Sequence, residues 1–164
     1  MKSKNIAQSG ILIALNLVIL YSASILPIST LSILTVASCI TPISIIRTSI
    51  KNAILIYLSS SILSFFLVSI NIAIYYTLFF GIYGIIKYFI ERFSNLLIEL
   101  ILKLLSFNVL LMIFYIIAKS FLSIPHKFPL WLLWISAQII FLIYDYALTL
   151  LISFIIDKFH KYNF

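Results

Sequence analysis

The sequence predicts an all-α fold: an integral membrane bundle of six transmembrane helices in one domain, with both termini cytoplasmic. Three observations carry that expectation. The stretch from Ile72 to Ile86 has no charge and then stops on Lys87, Glu91 and Arg92. An apolar helix that ends on clustered charge reads as a span leaving the bilayer, with Lys87 and Arg92 snorkelling to the headgroups. Hydrophobic residues make up 64% of the chain and charged ones 9%, with a mean hydropathy of +1.24. A soluble domain is roughly half apolar and a quarter charged, so most of these side chains need lipid as their solvent. Lysine plus arginine outnumber the acids eleven to four, and these charges sit between apolar runs. Their anionic partner is therefore lipid headgroups or the inside of the cell, and not nucleic acid.

The expected spans are 6–26, 29–47, 51–68, 71–90, 96–118 and 130–156. The first follows Lys2 and Lys4 and closes at Pro27. A basic start, an apolar core and the small residues Ser22, Ala23 and Ser24 resemble a signal peptide. The apolar run is longer than a usual signal core, however, which favours a retained span. Ala7, Gly10 and Ala14 form a small-residue face suited to close helix contact, within this chain or with another subunit. In the second run, Ser29, Ser32, Thr35, Ser38, Thr41 and Ser44 recur every three residues. That spacing winds around a helix instead of making one polar face. Hydroxyls bonding their own backbone are the favoured reading, and a hydrophilic pore lining is the other. Pro42 is expected to kink this helix near its inner end.

From Ala53 to Ile86 the chain is apolar for too long to be one span. A single helix from Lys51 to Ile90 would measure roughly 60 Å, about twice the hydrocarbon thickness. A turn is expected at Ser69-Ile70-Asn71. Gly81 and Gly84 read as a packing notch, or alternatively as a ligand-facing one. Phe93, Ser94 and Asn95 separate the fourth and fifth spans. Glu99 and Lys103 are spaced for an i,i+4 pair. A loop with His126 and Lys127 precedes the last run, which opens on the interfacial aromatics Trp131 and Trp134. Six spans with cytoplasmic termini put Lys2, Lys4, Arg47, Lys51, Lys87, Arg92, Lys103, Lys158 and Lys161 on one side. Only Lys119 and Lys127 fall on the other, a nine-to-two split that obeys the positive-inside rule. Five spans would divide the same charges six to five.

Of the four acids Glu91, Glu99, Asp145 and Asp157, only Asp145 lies deep in an apolar run. A charge there must face the bundle interior, find a partner or take a proton. It is either a substrate or proton site, or a buried structural bond to Asn108 or Lys103 of the fifth span. Gln138, seven residues earlier on roughly the same face, would extend a polar track. Asp145, Gln138, Asn108 and Lys103 are thus the candidate substrate-binding residues. No catalytic residue, cofactor or metal site is expected. The paired intramembrane aspartates of an aspartyl protease, the His-Glu-x-x-His and Gly-x-Ser-x-Gly motifs and a phosphate loop are all absent from the sequence. Cys39 is the only cysteine. His126 and His160 fall on opposite sides of the six-span arrangement.

The six-span plan, the small residues Ala7, Gly10 and Ala14 ahead of Pro27, Pro42 followed by Arg47 and Lys51, and Ser59-Ser60-Ser61 within Ala53–Phe66 resemble one group of proteins. They are similar to the substrate-binding S-components of energy-coupling factor transporters and the related YybS-like bacterial membrane family. The resemblance covers the layout and about the first 70 residues. It implies a multi-pass subunit of the cell membrane that captures a small nutrient. Such a subunit docks on a transmembrane coupling subunit with ATPases, through the face bearing Ala7, Gly10 and Ala14. The competing class is a non-transporting structural or regulatory membrane subunit. Ligand capture predicts a cavity among the fourth, fifth and sixth helices with polar lining, whereas a structural bundle predicts that region filled by Phe and Leu.

Overall fold

The protein is described by a computed structural model covering residues 3–26, 29–93, 95–121 and 130–162, with side chains for 5–26, 29–93, 95–116, 131–132, 134–155 and 157. Every element among these residues is helical: α1 (Ser3–Ile25), α2 (Thr30–Ser38), α3 (Ile40–Arg47), α4 (Ile50–Leu67), α5 (Ile70–Tyr75), a π-helical segment (Tyr76–Phe80), α6 (Gly81–Ile90), α7 (Leu96–Phe121) and α8 (Leu130–Tyr162). Joined end to end, they give six helices long and apolar enough to cross a membrane, as the sequence leads one to expect. The second of these is α2 with α3, and the fourth is α5, the π segment and α6. The chain runs up and down, so Arg47 and Lys51, then Ile90 and Leu96, meet at one end, called here the basic end. The loop with His126 and Lys127, and the side chains of the terminal lysines and His160, lie outside the described residues.

The boundaries have local causes. Pro42 has no N–H, so the helix carrying it breaks at Cys39, between α2 and α3. The carbonyl of Ser38, which Pro42 cannot serve, accepts from the Thr41 hydroxyl at 3.2 Å. The expected self-bonding of the hydroxyl series is seen along this stretch. Thr35 donates to Leu31 O, Ser38 to Thr35 O, and Ser44 to Thr41 O, at 2.7–2.8 Å. At the other end of the bundle, α4 stops at Leu67 and Val68 is extended (φ −124°, ψ 168°). The Ser69 N–H then donates to Ser24 Oγ at 3.4 Å, tying this turn to the end of α1. The turn expected from length alone is present. Ser49 and Asn95 cap α4 and α7, accepting from Asn52 N and Leu97 N at 3.4 and 3.1 Å.

The two glycines of α6 are packing notches. A Cβ on Gly84 would lie 2.8 Å from Pro42 Cδ and 3.1 Å from Ser38 O; one on Gly81 would lie 2.8 Å from the Tyr57 ring. The helix break at Cys39 and the fourth span are thus fitted to each other. The π segment is a feature that sequence reasoning missed. There the Gly81 N–H donates to Tyr76 O, five residues back. Neighbours support the widened turn: Tyr57 OH donates to Thr77 O at 2.7 Å, and Asn16 Nδ2 to Tyr76 OH at 2.6 Å. The face of α1 with Ala7, Gly10 and Ala14 is exposed, and nothing lies within 4 Å of a Cβ placed on Gly10. Among the described residues, nothing packs on Gly10 of that face.

Candidate functional site

The site is built on the fourth, fifth and sixth spans in two storeys. The lower one, toward the basic end, centres on Asp145. On α8, residues Phe141, Tyr144, Asp145, Leu148 and Thr149 follow the spacing of one helical face, turned toward α6 and α7. Asp145 Oδ1 takes Lys87 Nζ, together with Tyr83 OH at 2.8 Å; Oδ2 takes Lys103 Nζ at 3.0 Å. Lys87 Nζ also meets Glu91 Oε1 at 2.7 Å and donates to Thr149 Oγ1 at 2.8 Å. Lys103 Nζ meets Glu99 Oε1 at 2.6 Å and Glu91 Oε1 at 3.1 Å. Lys103 therefore has three oxygen partners, which matches its three donors, and Lys87 has three close ones with the Asp145 carbonyl oxygen as a fourth at 3.5 Å.

This saturation makes the burial tolerable. Lys87 is 1% exposed, and an isolated ammonium there would face the full cost of leaving water. Two ammoniums meet three carboxylates, an excess of one negative charge. The side chains of Glu91 and Glu99 keep 35% and 21% exposure, so that excess stays next to solvent at the basic end.

The four predicted substrate residues divide into two pairs. Lys103 joins Asp145, as one of the sequence alternatives has it, and the Glu99–Lys103 pair forms. Asn108 and Gln138 are bonded to one another instead: Gln138 Nε2 donates to Asn108 Oδ1 at 2.8 Å, and Asn108 Nδ2 to Leu104 O at 2.7 Å. The Asn108–Asp145 bond is not made: Asn108 pairs with Gln138, about two helical turns from Asp145 along α8, whereas Lys103 is the α7 residue at the level of Asp145. Lys87 corrects the sequence reading more sharply. It does not snorkel to the headgroups but turns inward to Asp145. Its neighbours on α6 show why: Tyr83, Gly84 and Lys87 share a buried face, and outward rotation would expose that face. The spacing Tyr83, Lys87, Glu91 was the signal available in the sequence. Among the described residues no group of three or more His, Cys, Asp and Glu side chains could hold a metal ion.

The upper storey is a cavity of about 300 Å³ in the half of the bundle away from the basic end. Leu31 and Thr35 of α2 form one wall, Tyr75 and the π-segment rings Phe79 and Phe80 a second, and α7 and α8 the rest. The cavity lies among the fourth, fifth and sixth spans, with the second as an added wall. Its lining is apolar and aromatic, so neither sequence expectation for this region holds in full. Its floor is a set of interlocked rings. Phe107 and Phe141 stack with centroids 4.2 Å apart, Phe80 meets Tyr144 edge-on at 5.1 Å, and Tyr83 meets Phe141 edge-on at 5.2 Å. Tyr83 belongs to both storeys, since its ring packs against the floor and its hydroxyl donates to Asp145. Directly under the aromatic floor, therefore, is the ion network, which Tyr83 joins to it.

Comparison with known proteins adds no family to this description: no family model, curated protein or solved structure matches the chain.

Proposed function

We propose that this chain is the substrate-binding membrane subunit of a small-molecule uptake system, working with a separate coupling subunit and ATPases. The observation that carries the reading is a ligand-sized cavity standing over a closed floor. Binding pockets are concave, mostly apolar and largely preformed, and this one is built by the same spans that hold the ion network. The Tyr83, Phe141 and Tyr144 rings and the Lys87–Asp145–Lys103 cluster block the way to the basic end. Such a chain holds a molecule without conducting it, and release on the other side needs a partner. Cytoplasmic termini, as the charge asymmetry favours, make the cavity outward-facing. The exposed Ala7, Gly10 and Ala14 face is the docking surface in this reading.

A second reading is favoured by a separate observation. Asp145, Lys103, Asn108 and Gln138 are all bonded within the chain, as expected of a structural or regulatory subunit with no polar substrate. Purification from cells in mild detergent separates the two. The uptake reading predicts that the chain carries an ATPase-containing partner, lost on Gly10→Leu or Ala14→Leu, and a bound small molecule. A chain that arrives alone and empty contradicts it.

A further inference from the structure

Resting on the capture reading, we infer that the cavity binds an uncharged, flat, ring-containing molecule that reaches it from the lipid, between α2 and α8. Size is the first constraint. A dry apolar cavity of about 150 Å³ holds a benzene ring, so the present 300 Å³ suits roughly two fused rings.

The lining sets the chemistry. Thr35 spends its hydroxyl proton on Leu31 O. Asn108 and Gln138 bond to each other, and both lysines beneath the floor are saturated. The hydroxyl of Tyr144, another lining residue, is buried without a hydrogen-bond partner, but one neutral hydroxyl does not replace the hydration that a carboxylate, phosphate or ammonium placed here would lose. Phe79, Phe80, Phe107 and Phe114 instead offer ring faces and edges, which favour another ring in offset or edge-on contact. The route follows from exposure. Leu31 on α2 and Ile140 on α8 both line the cavity, yet they are 54% and 55% exposed. The cavity therefore has an apolar rim on the outer surface of the bundle, from Leu31 at the end of its span to Ile140, nearly two turns inside the last one and at a level that faces hydrocarbon if the helices span a bilayer.

Binding of 2-naphthol and of its anionic analogue 2-naphthoate to the full-length protein in detergent tests this, with calorimetry as the readout. The expected result is saturable binding of one 2-naphthol and binding of 2-naphthoate weaker by roughly tenfold or more. Ala137→Phe, which fills the cavity, and Ile140→Trp, which adds bulk at the exposed rim, should each abolish naphthol binding. The rim variant guards against a packing failure in the first. Equal binding of the anion, no saturable naphthol binding, or displacement of bound naphthol by phospholipid alone overturns the ligand class. A polar molecule that co-purifies with the wild-type protein but not with Ala137→Phe overturns the class and leaves the capture reading standing. Absence of any cavity-dependent ligand sinks both.

Discussion

Lys87 on α6 and Asp145 on α8 form an ion pair in the bundle interior. The pair joins the fourth and sixth spans at the level where the aromatic floor ends. Tyr83 shares the Asp145 oxygen with Lys87, so the ion pair also orients a ring of that floor.

Removing one partner should cost far more than removing both. Lys87→Met leaves Asp145 and Glu91 with Lys103 as their remaining ammonium partner and should destabilise the protein by about 3–5 kcal/mol. Asp145→Leu alone likewise leaves Lys87 with Glu91 as its remaining carboxylate partner. The double variant should recover a large part of the loss, as read by thermal or denaturant unfolding in detergent. Additive losses would mean that the two charges are held separately.

Asp145→Asn distinguishes a structural from a substrate-binding acid. The amide keeps hydrogen-bonding capacity but not the charge that balances the lysines. Asp145 lies beneath the cavity floor and is not part of the cavity lining. The variant should therefore melt earlier than wild type while binding the cavity ligand with unchanged affinity. Loss of binding with unchanged melting would place the substrate at Asp145 itself.

The glycines should respond oppositely to a methyl group. Gly84→Ala drives a Cβ to 2.8 Å from Pro42 Cδ and should cost about 1–3 kcal/mol by overpacking. Gly10→Ala meets nothing within 4 Å and should leave the isolated chain equal in stability, or steadier by up to about 1 kcal/mol from helix propensity. Unfolding of the two variants side by side checks this. Equal losses would place the α1 face in the core.

Single cysteines at positions 70 and 162 test the topology. The buried Cys39 gives little background. An impermeant thiol reagent should label the two positions from opposite sides of the membrane, with position 162 on the cytoplasmic side. Labelling of both from one side contradicts six spans.

How much could be read from the sequence depended on whether a feature was encoded along one helix or between helices. Six helices long and apolar enough to cross a membrane, and the turn near Ser69, come from local length and backbone chemistry, and they appear; the kink expected at Pro42 is an interruption at Cys39, three residues earlier. The hydroxyls of α2 bond back to their own helix, so their role was also legible. Lys87 was misread because a lysine that closes an apolar run stands at a snorkelling position; which way it turns depends on how α6 rotates against α2, α3 and α8. Asn108 was placed level with Asp145, but its bond to Gln138 sets it about two turns of α8 away, because the register of α7 against α8 is not written along either helix. The π segment has no glycine or proline within Tyr76–Phe80 to announce it. Its supports, Tyr57 and Asn16, come from two other helices.

Occupancy of the cavity tests the account most directly. Native mass spectrometry of the protein from mild detergent should find a small molecule retained by wild type and absent from Ala137→Phe, with both proteins folded by their melting curves. An empty wild-type protein, or the same bound mass in the filled-cavity variant, would contradict the claim that this bundle is built to hold a ligand.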